Sequence, residues 1–153
     1  MPTTEEILAE LPATPEPAGL KPLFRGVWRL APPLPAGPRV IIGITEGVIQ
    51  GRGLTARLTG PAADWLTVAP DGIGTLDWRG QLVTDEGAVI YLHGTGRMDT
   101  TQGTGALAVG SCLFETGAKE LRWLNTVQAV YRSRTVAFGT PEAAYHDEYF
   151  ELV

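Results

Sequence analysis

The sequence predicts an all-β protein: a closed, antiparallel, up-and-down β-barrel of roughly eight to ten strands. Three observations lead there. Short segments rich in β-branched and aromatic residues recur along the chain, separated by Gly, Pro, Asp and Thr turns. Beyond residue 11 no stretch keeps helical periodicity for more than about three turns. Glycines also fall inside the strand-like runs, at Gly43, Gly47, Gly51, Gly53, Gly80 and Gly110. There they would weaken an open sheet, whereas the bends of a closing barrel need bulges. Closure also removes the exposed edges of the sheet.

The elements follow in order. Thr3 can cap a short helix, with Glu6 placed for a capping box and Ile7, Leu8 and Leu11 on one stripe. Pro12, Pro15, Pro17 and Pro22 then read as an extended, semi-rigid arm. Residues 1–21 are therefore assigned to a helix and arm, and 22–153 to the barrel. Strands are expected near 23–30, 39–45, 47–58, 64–69, 73–83, 88–93, 106–115, 120–133 and 144–152.

Composition bounds the function. The chain has 153 residues, 44% of them hydrophobic and 19% charged, which suits one soluble domain. The N-terminus carries neither a basic region nor an apolar one, and no apolar run nears the length of a membrane span, so the expected location is the cytoplasm, with no membrane partner. A net charge of −5 with scattered basic residues argues against nucleic-acid binding. Cys112 is the only cysteine, set among Val109, Leu113 and Phe114, and reads as a buried structural thiol. His93 and His146 are the only histidines and form no ligand pair, so no metal site is expected. Gly51-Arg52-Gly53 lacks the third glycine of a dinucleotide loop, and no cofactor is expected.

One hairpin can be read in register. Thr84-Asp85-Glu86-Gly87-Ala88 has the form of a type I turn followed by a glycine able to take positive φ. With Thr84 opposite Ala88, Gln81 faces Tyr91 and Arg79 faces His93. One face then carries Asp77, Arg79, Gln81, Tyr91 and His93; the other carries Leu76, Trp78, Leu82, Ile90 and Leu92. Two arrangements satisfy this pattern. Either the polar face meets water over an apolar core, or it lines a ligand-holding lumen while another subunit or the arm covers the apolar face.

The motifs also resemble a known family. Ala63-Asp64-Trp65, Leu76-Asp77-Trp78-Arg79, the Thr84–Ala88 turn, Ile90-Tyr91, Phe114-Glu115-Thr116-Gly117 and Trp123-Leu124-Asn125 follow in an order similar to the domain of unknown function family 3237. The likeness spans about residues 22–152. It implies a calycin-like barrel, similar to lipocalins and allene oxide cyclase, with an interior cavity that solvent reaches. Known activities in related barrels include cofactor-free cyclisation or isomerisation of apolar substrates and carriage of small ligands. The chain departs from the family pattern at Gly60-Pro61-Ala62-Ala63, at His93, where an arginine is usual, and in the short Arg97–Leu113 connection.

The second arrangement yields a site. Within a lumen Arg79 would pair with Asp77, and Glu115, among Phe114 and Trp123, would become a general acid or base near neutrality. Tyr91, His93 and Asn125 would donate to a carbonyl oxygen as charge develops on it. The expected catalytic residues are thus Glu115, Tyr91, His93 and Asp77, with Arg79, Trp65, Trp78, Trp123 and Asn125 binding the ligand. Three functions compete: an isomerase, cyclase or lyase acting on a small apolar oxygenated molecule; a non-catalytic binder of such a molecule; and a structural homo-oligomeric subunit.

Overall fold

A computed structural model describes residues Met1 to Val153. Nine strands form a single antiparallel sheet: β1 (Leu20–Leu30), β2 (Leu34–Ala36), β3 (Arg39–Gly51), β4 (Leu54–Val68), β5 (Ile73–Thr84), β6 (Val89–Asp99), β7 (Leu107–Thr116), β8 (Gln128–Val136) and β9 (Ala144–Leu152). Neighbours run β1-β9-β8-β7-β6-β5-β4-β3, and β1 returns to pair with β3, closing an eight-stranded barrel. The short β2 extends the wall by pairing with the start of β3. The barrel class predicted from strand punctuation and interior glycines is the one observed.

The Thr84–Ala88 turn sets the β5–β6 register, with Gln81 opposite Tyr91 and Arg79 opposite His93. Thr84 and Ala88 close it through a backbone bond of 2.9 Å, and Gly87 takes φ +86°. Elsewhere the boundaries move. The expected 47–58 strand contains a turn, because Arg52 and Gly53 both take positive φ and join β3 to β4 in a two-residue hairpin loop. The expected 120–133 strand begins as a 3-10 helix, Lys119–Thr126, which buries Leu124 before β8 starts. The N-terminal helix α1 (Thr4–Glu10) has both bonds of its capping box, and no residue of it is buried. No helix is long and apolar enough to cross a membrane.

Alternation decides what faces inward. Leu76, Trp78 and Leu82 of β5 and Ile90 and Leu92 of β6 are buried in the barrel. With them runs a column of aromatic rings. Phe24 meets Phe114 at 5.5 Å, Phe114 meets Tyr149 at 6.3 Å, and Tyr149 meets Tyr131 at 5.8 Å. Trp78 and Trp28 continue it at 5.9 and 5.8 Å. Two glycines make room for the indoles: a Cβ on Gly47 would collide with Trp28, and one on Gly94 with Trp78. The two ends of the barrel differ. Leu124 and Trp123 on the 3-10 helix close one, Trp123 lying 6.4 Å from Phe24. The other is bordered by the loops after β1, β4, β6 and β8.

Gly94→Ala should therefore lower stability by about 2 kcal/mol in urea unfolding, the cost of overpacking a filled core. Gly117→Ala, with open space around it, should stay within roughly 0.5 kcal/mol of the parent. Equal losses at both positions would contradict the packing described.

Candidate functional site

The core of the barrel contains carboxyl groups. β9 turns Tyr145, Asp147 and Tyr149 inward and His146, Glu148 and Phe150 outward, while β8 turns Tyr131, Ser133 and Thr135 inward. Asp147 Oδ2 accepts the Trp28 indole N–H at 2.9 Å and the Tyr149 hydroxyl at 2.6 Å. Its Oδ1 is buried and has no partner. Burial pushes the Asp147 carboxyl above its ordinary pKa, against the opposing pull of Ser133, Tyr149 and Trp28.

Asp64, in the middle of β4, is fully buried. Its Oδ1 accepts the Asp77 backbone N–H at 3.1 Å and its Oδ2 has no partner. Burial raises its pKa to about 6. The charges of both aspartates add to burial in raising the hydroxyl pKa of Tyr131 and Tyr145. Tyr131 accepts from the Trp78 indole and donates to the Thr95 carbonyl, each at 3.2 Å. Tyr145 has no such bond, so its hydroxyl is available to a guest.

A cavity of about 160 Å³ opens at the unplugged end. Val40, Ile42, Leu66, Val68, Met98 and Phe138 make its wall apolar, and Tyr145 and Thr135 form part of its lining. Beyond Tyr145 lies a gap of about 10 Å³ between Trp28, Trp78, Tyr131, Ser133 and Asp147. That is about the room one water needs, and Tyr131, Ser133, Tyr145 and Asp147 are the polar groups on its otherwise apolar wall. Tyr145 borders both spaces. A compact apolar molecule at the mouth would thus have the Tyr145 and Thr135 hydroxyls on its wall, with the Asp147 carboxyl lining the smaller gap behind Tyr145. The thiol of Cys112 is buried and its pKa is pushed up by burial, which leaves it unreactive. No group of three or more His, Cys, Asp or Glu side chains is placed to hold a metal.

This is a different set from the one the sequence suggested. Asp77, Arg79, Tyr91, His93 and Glu115 all lie on the outer face. Asp77 meets His93 Nε2 at 2.9 Å and Arg79 at 3.3 Å, and Glu115 is exposed opposite Tyr91. The apolar face of the hairpin takes the interior because nothing in the chain covers it from outside. Trp65 is also outside, with the Arg79 guanidinium over its ring at 6.0 Å. Trp123 belongs to the closing helix, under Arg52. Asn125 bonds both the N–H and the C=O of Thr116, at 2.8 and 2.9 Å, which fixes the end of β7. Of the expected residues only Trp78 borders the interior gap. Asp64, given no site role, and Asp147, Tyr145, Tyr131 and Trp28 were missed. The available signal was the alternation Tyr145-x-Asp147-x-Tyr149 beside Tyr131-x-Ser133-x-Thr135.

The sign of the Asp64 linkage follows from its raised pKa. Below the unfolded value of 3.8 the carboxyl is neutral in both states and costs nothing; stability then falls as pH rises through about 6, above which the loss is complete. The loss should be about 3 kcal/mol. Unfolding the parent and Asp64→Asn in urea from pH 4 to 8 should give curves that diverge over the pH 4–6 interval, with the parent falling relative to the variant. Parallel curves would show that Asp64 ionises normally.

Comparisons with known proteins agree with the architecture. A beta-barrel-like protein from Acinetobacter baumannii AYE superimposes with a TM-score of 0.76 at 28% identity, covering 93% of this chain and all of its own. A conserved protein of unknown function from Rhodopseudomonas palustris gives 0.79 at 21%, covering 92% and all of its own. An enzyme from Penicillium herquei gives 0.67 at 20%, covering 94% and all of its own. No curated protein matches the sequence. The family model described as "Protein of unknown function (DUF3237)" matches residues 18–139, most of the chain and nearly all of the barrel up to the β8–β9 loop, and the protein belongs to that family.

Proposed function

We propose that this protein binds a compact, apolar, oxygen-bearing molecule at the open end of its barrel and acts on it by acid–base chemistry without a cofactor, as an isomerase, cyclase or lyase. One observation carries the reading: Asp147, whose Oδ1 has no partner, lines a small gap behind an apolar mouth. A buried oxygen with no partner is costly, and such groups concentrate where a protein does chemistry. The Penicillium herquei neighbour is described as an enzyme, which supports catalysis in this type of barrel.

In this reading the ligand oxygen accepts a hydrogen bond from the Tyr145 hydroxyl. A proton leaves the carbon next to the carbonyl and reaches Asp147 Oδ1, directly or through one water in the gap. The C–H electron pair becomes the C=C bond of an enolate, the C=O π pair moves onto oxygen, and the Tyr145 hydroxyl stabilises that oxyanion by hydrogen bonding. Return of the proton to the same carbon gives exchange, and return to a conjugated carbon gives isomerisation. Two donors already satisfy Asp147 Oδ2, so Oδ1 is the oxygen left to move the proton. Asp64 adds charge beside Tyr145 and disfavours its ionisation, keeping the hydroxyl a donor.

Cyclohexanone in D2O tests this chemistry. The protein should accelerate deuterium uptake at the α-carbons, followed by proton NMR. Asp147→Asn should lower that acceleration about 10²–10⁴-fold while binding, read by quenching of tryptophan fluorescence, persists. Saturable binding without exchange would mean a carrier, the second reading, for which the apolar cavity alone suffices. Absence of binding would remove both.

Homo-oligomerisation belongs to the same proposal. Ile7 and Leu8 on α1, Leu11 at its end, and Leu107, Val109 and Leu113 on the outer wall are exposed apolar residues. The full chain should have a multiple of the monomer mass in light scattering, and removing residues 1–18 should reduce it.

A further inference from the structure

The cavity at the barrel mouth has a neighbour. Across Phe138 lies an apolar groove of about 540 Å³, walled by Pro32 and Pro33 after β1, Thr45 on β3, and Pro141 in the β8–β9 loop. No charged side chain lines it. Phe138 is the one residue common to this groove and the 160 Å³ cavity. The residue is 42% exposed, unusual for a phenylalanine, although its backbone is well held. The Phe138 N–H donates to Thr104 Oγ1 at 3.0 Å. Ala137 just before it takes φ +49°, a left-handed conformation that a non-glycine residue adopts only when its surroundings enforce it. The Thr140 hydroxyl and N–H both bond the Ala137 carbonyl, at 2.8 and 3.1 Å. The loop thus spends conformational strain to hold a loosely packed aromatic ring between two apolar spaces.

We propose that the two spaces are one bipartite ligand site, in which a compact oxygen-bearing head occupies the barrel mouth and an uncharged alkyl or aryl tail lies along the proline-walled groove. The Phe138 ring is the partition that turns aside to join them. The inference rests on the luminal site proposed above and adds the class of its substrate: a head close to the size of benzene, which fills a cavity of about 150 Å³, bearing one extended apolar substituent. Proline walls suit such a tail, because they are rigid and offer it an apolar surface without N–H groups to leave unpaired. A charged tail would find no partner there.

Two phenols separate the parts of the claim: p-cresol, all head, and 4-pentylphenol, the same head with a tail. Binding is measured by tryptophan fluorescence, with circular dichroism confirming that each variant is folded. The parent should bind 4-pentylphenol at least tenfold more tightly than p-cresol, in line with burial of the added methylenes. Thr45→Asp, which places a charge in the groove, should abolish that preference and leave p-cresol affinity within twofold of the parent. Phe138→Ala should speed association of 4-pentylphenol in stopped flow. Equal affinity for the two phenols, a preference that survives Thr45→Asp, or an association rate unchanged in Phe138→Ala would each overturn the bipartite site while leaving the luminal reading intact. Failure of both phenols to bind would sink the luminal reading, and this one with it.

Discussion

The two hydrogen bonds that Trp28 and Tyr149 donate to Asp147 are what the interior is organised around. A carboxyl group at the centre of an aromatic core survives folding only when its oxygens are met by donors or its charge is suppressed. Here one oxygen accepts from two donors and the other makes no direct hydrogen bond, the Ser133 hydroxyl being the further group that favours the charge. Trp28 can reach across from β1 only because Gly47 on β3 leaves room under its ring. Tyr149 is held by its contacts with Tyr131 and Phe114. The polar centre and the aromatic column are therefore one structure, and the chemistry of the first depends on the packing of the second.

The ends of the barrel divide the labour. The 3-10 helix covers one, with Leu124 buried beneath it and Trp123 against Phe24. The other is ringed by loops whose glycines, prolines and threonines leave space, and the apolar cavity forms there. The two aspartates lie buried between these ends, and that burial is why their charged forms are disfavoured.

Sequence showed the frame well and the site poorly, for identifiable reasons. The β5–β6 register was legible because the Thr84–Ala88 turn fixes it and the two faces differ sharply in polarity. That same contrast argued for Asp77, Arg79 and His93 facing water; placing them inside required a cover over Leu76 and Leu92 that the chain does not supply. In β9 the contrast vanishes. Tyr145, Asp147 and Tyr149 on one face and His146, Glu148 and Phe150 on the other are equally mixed, so alternation alone could not say which of Asp147 and Glu148 was inside. Asp64 carried no signal because aspartate ordinarily favours turns, a local preference that burial within β4 overrides. The Lys119–Thr126 helix is too short for periodicity to reveal.

Strand β1 takes its place between β3 and β9, and the second of these partners lies more than a hundred residues downstream in the order of synthesis. As the chain leaves the ribosome, β1 can lie against β3, but its other edge stays bare until β9 arrives. Trp28 then waits for the acid it will hold. Any shorter nascent product has an unmet sheet edge and no polar centre, so a partly made molecule is sticky and inert together. The last step of assembly closes the wall and creates the site in a single event, and such distant pairing makes that step slow.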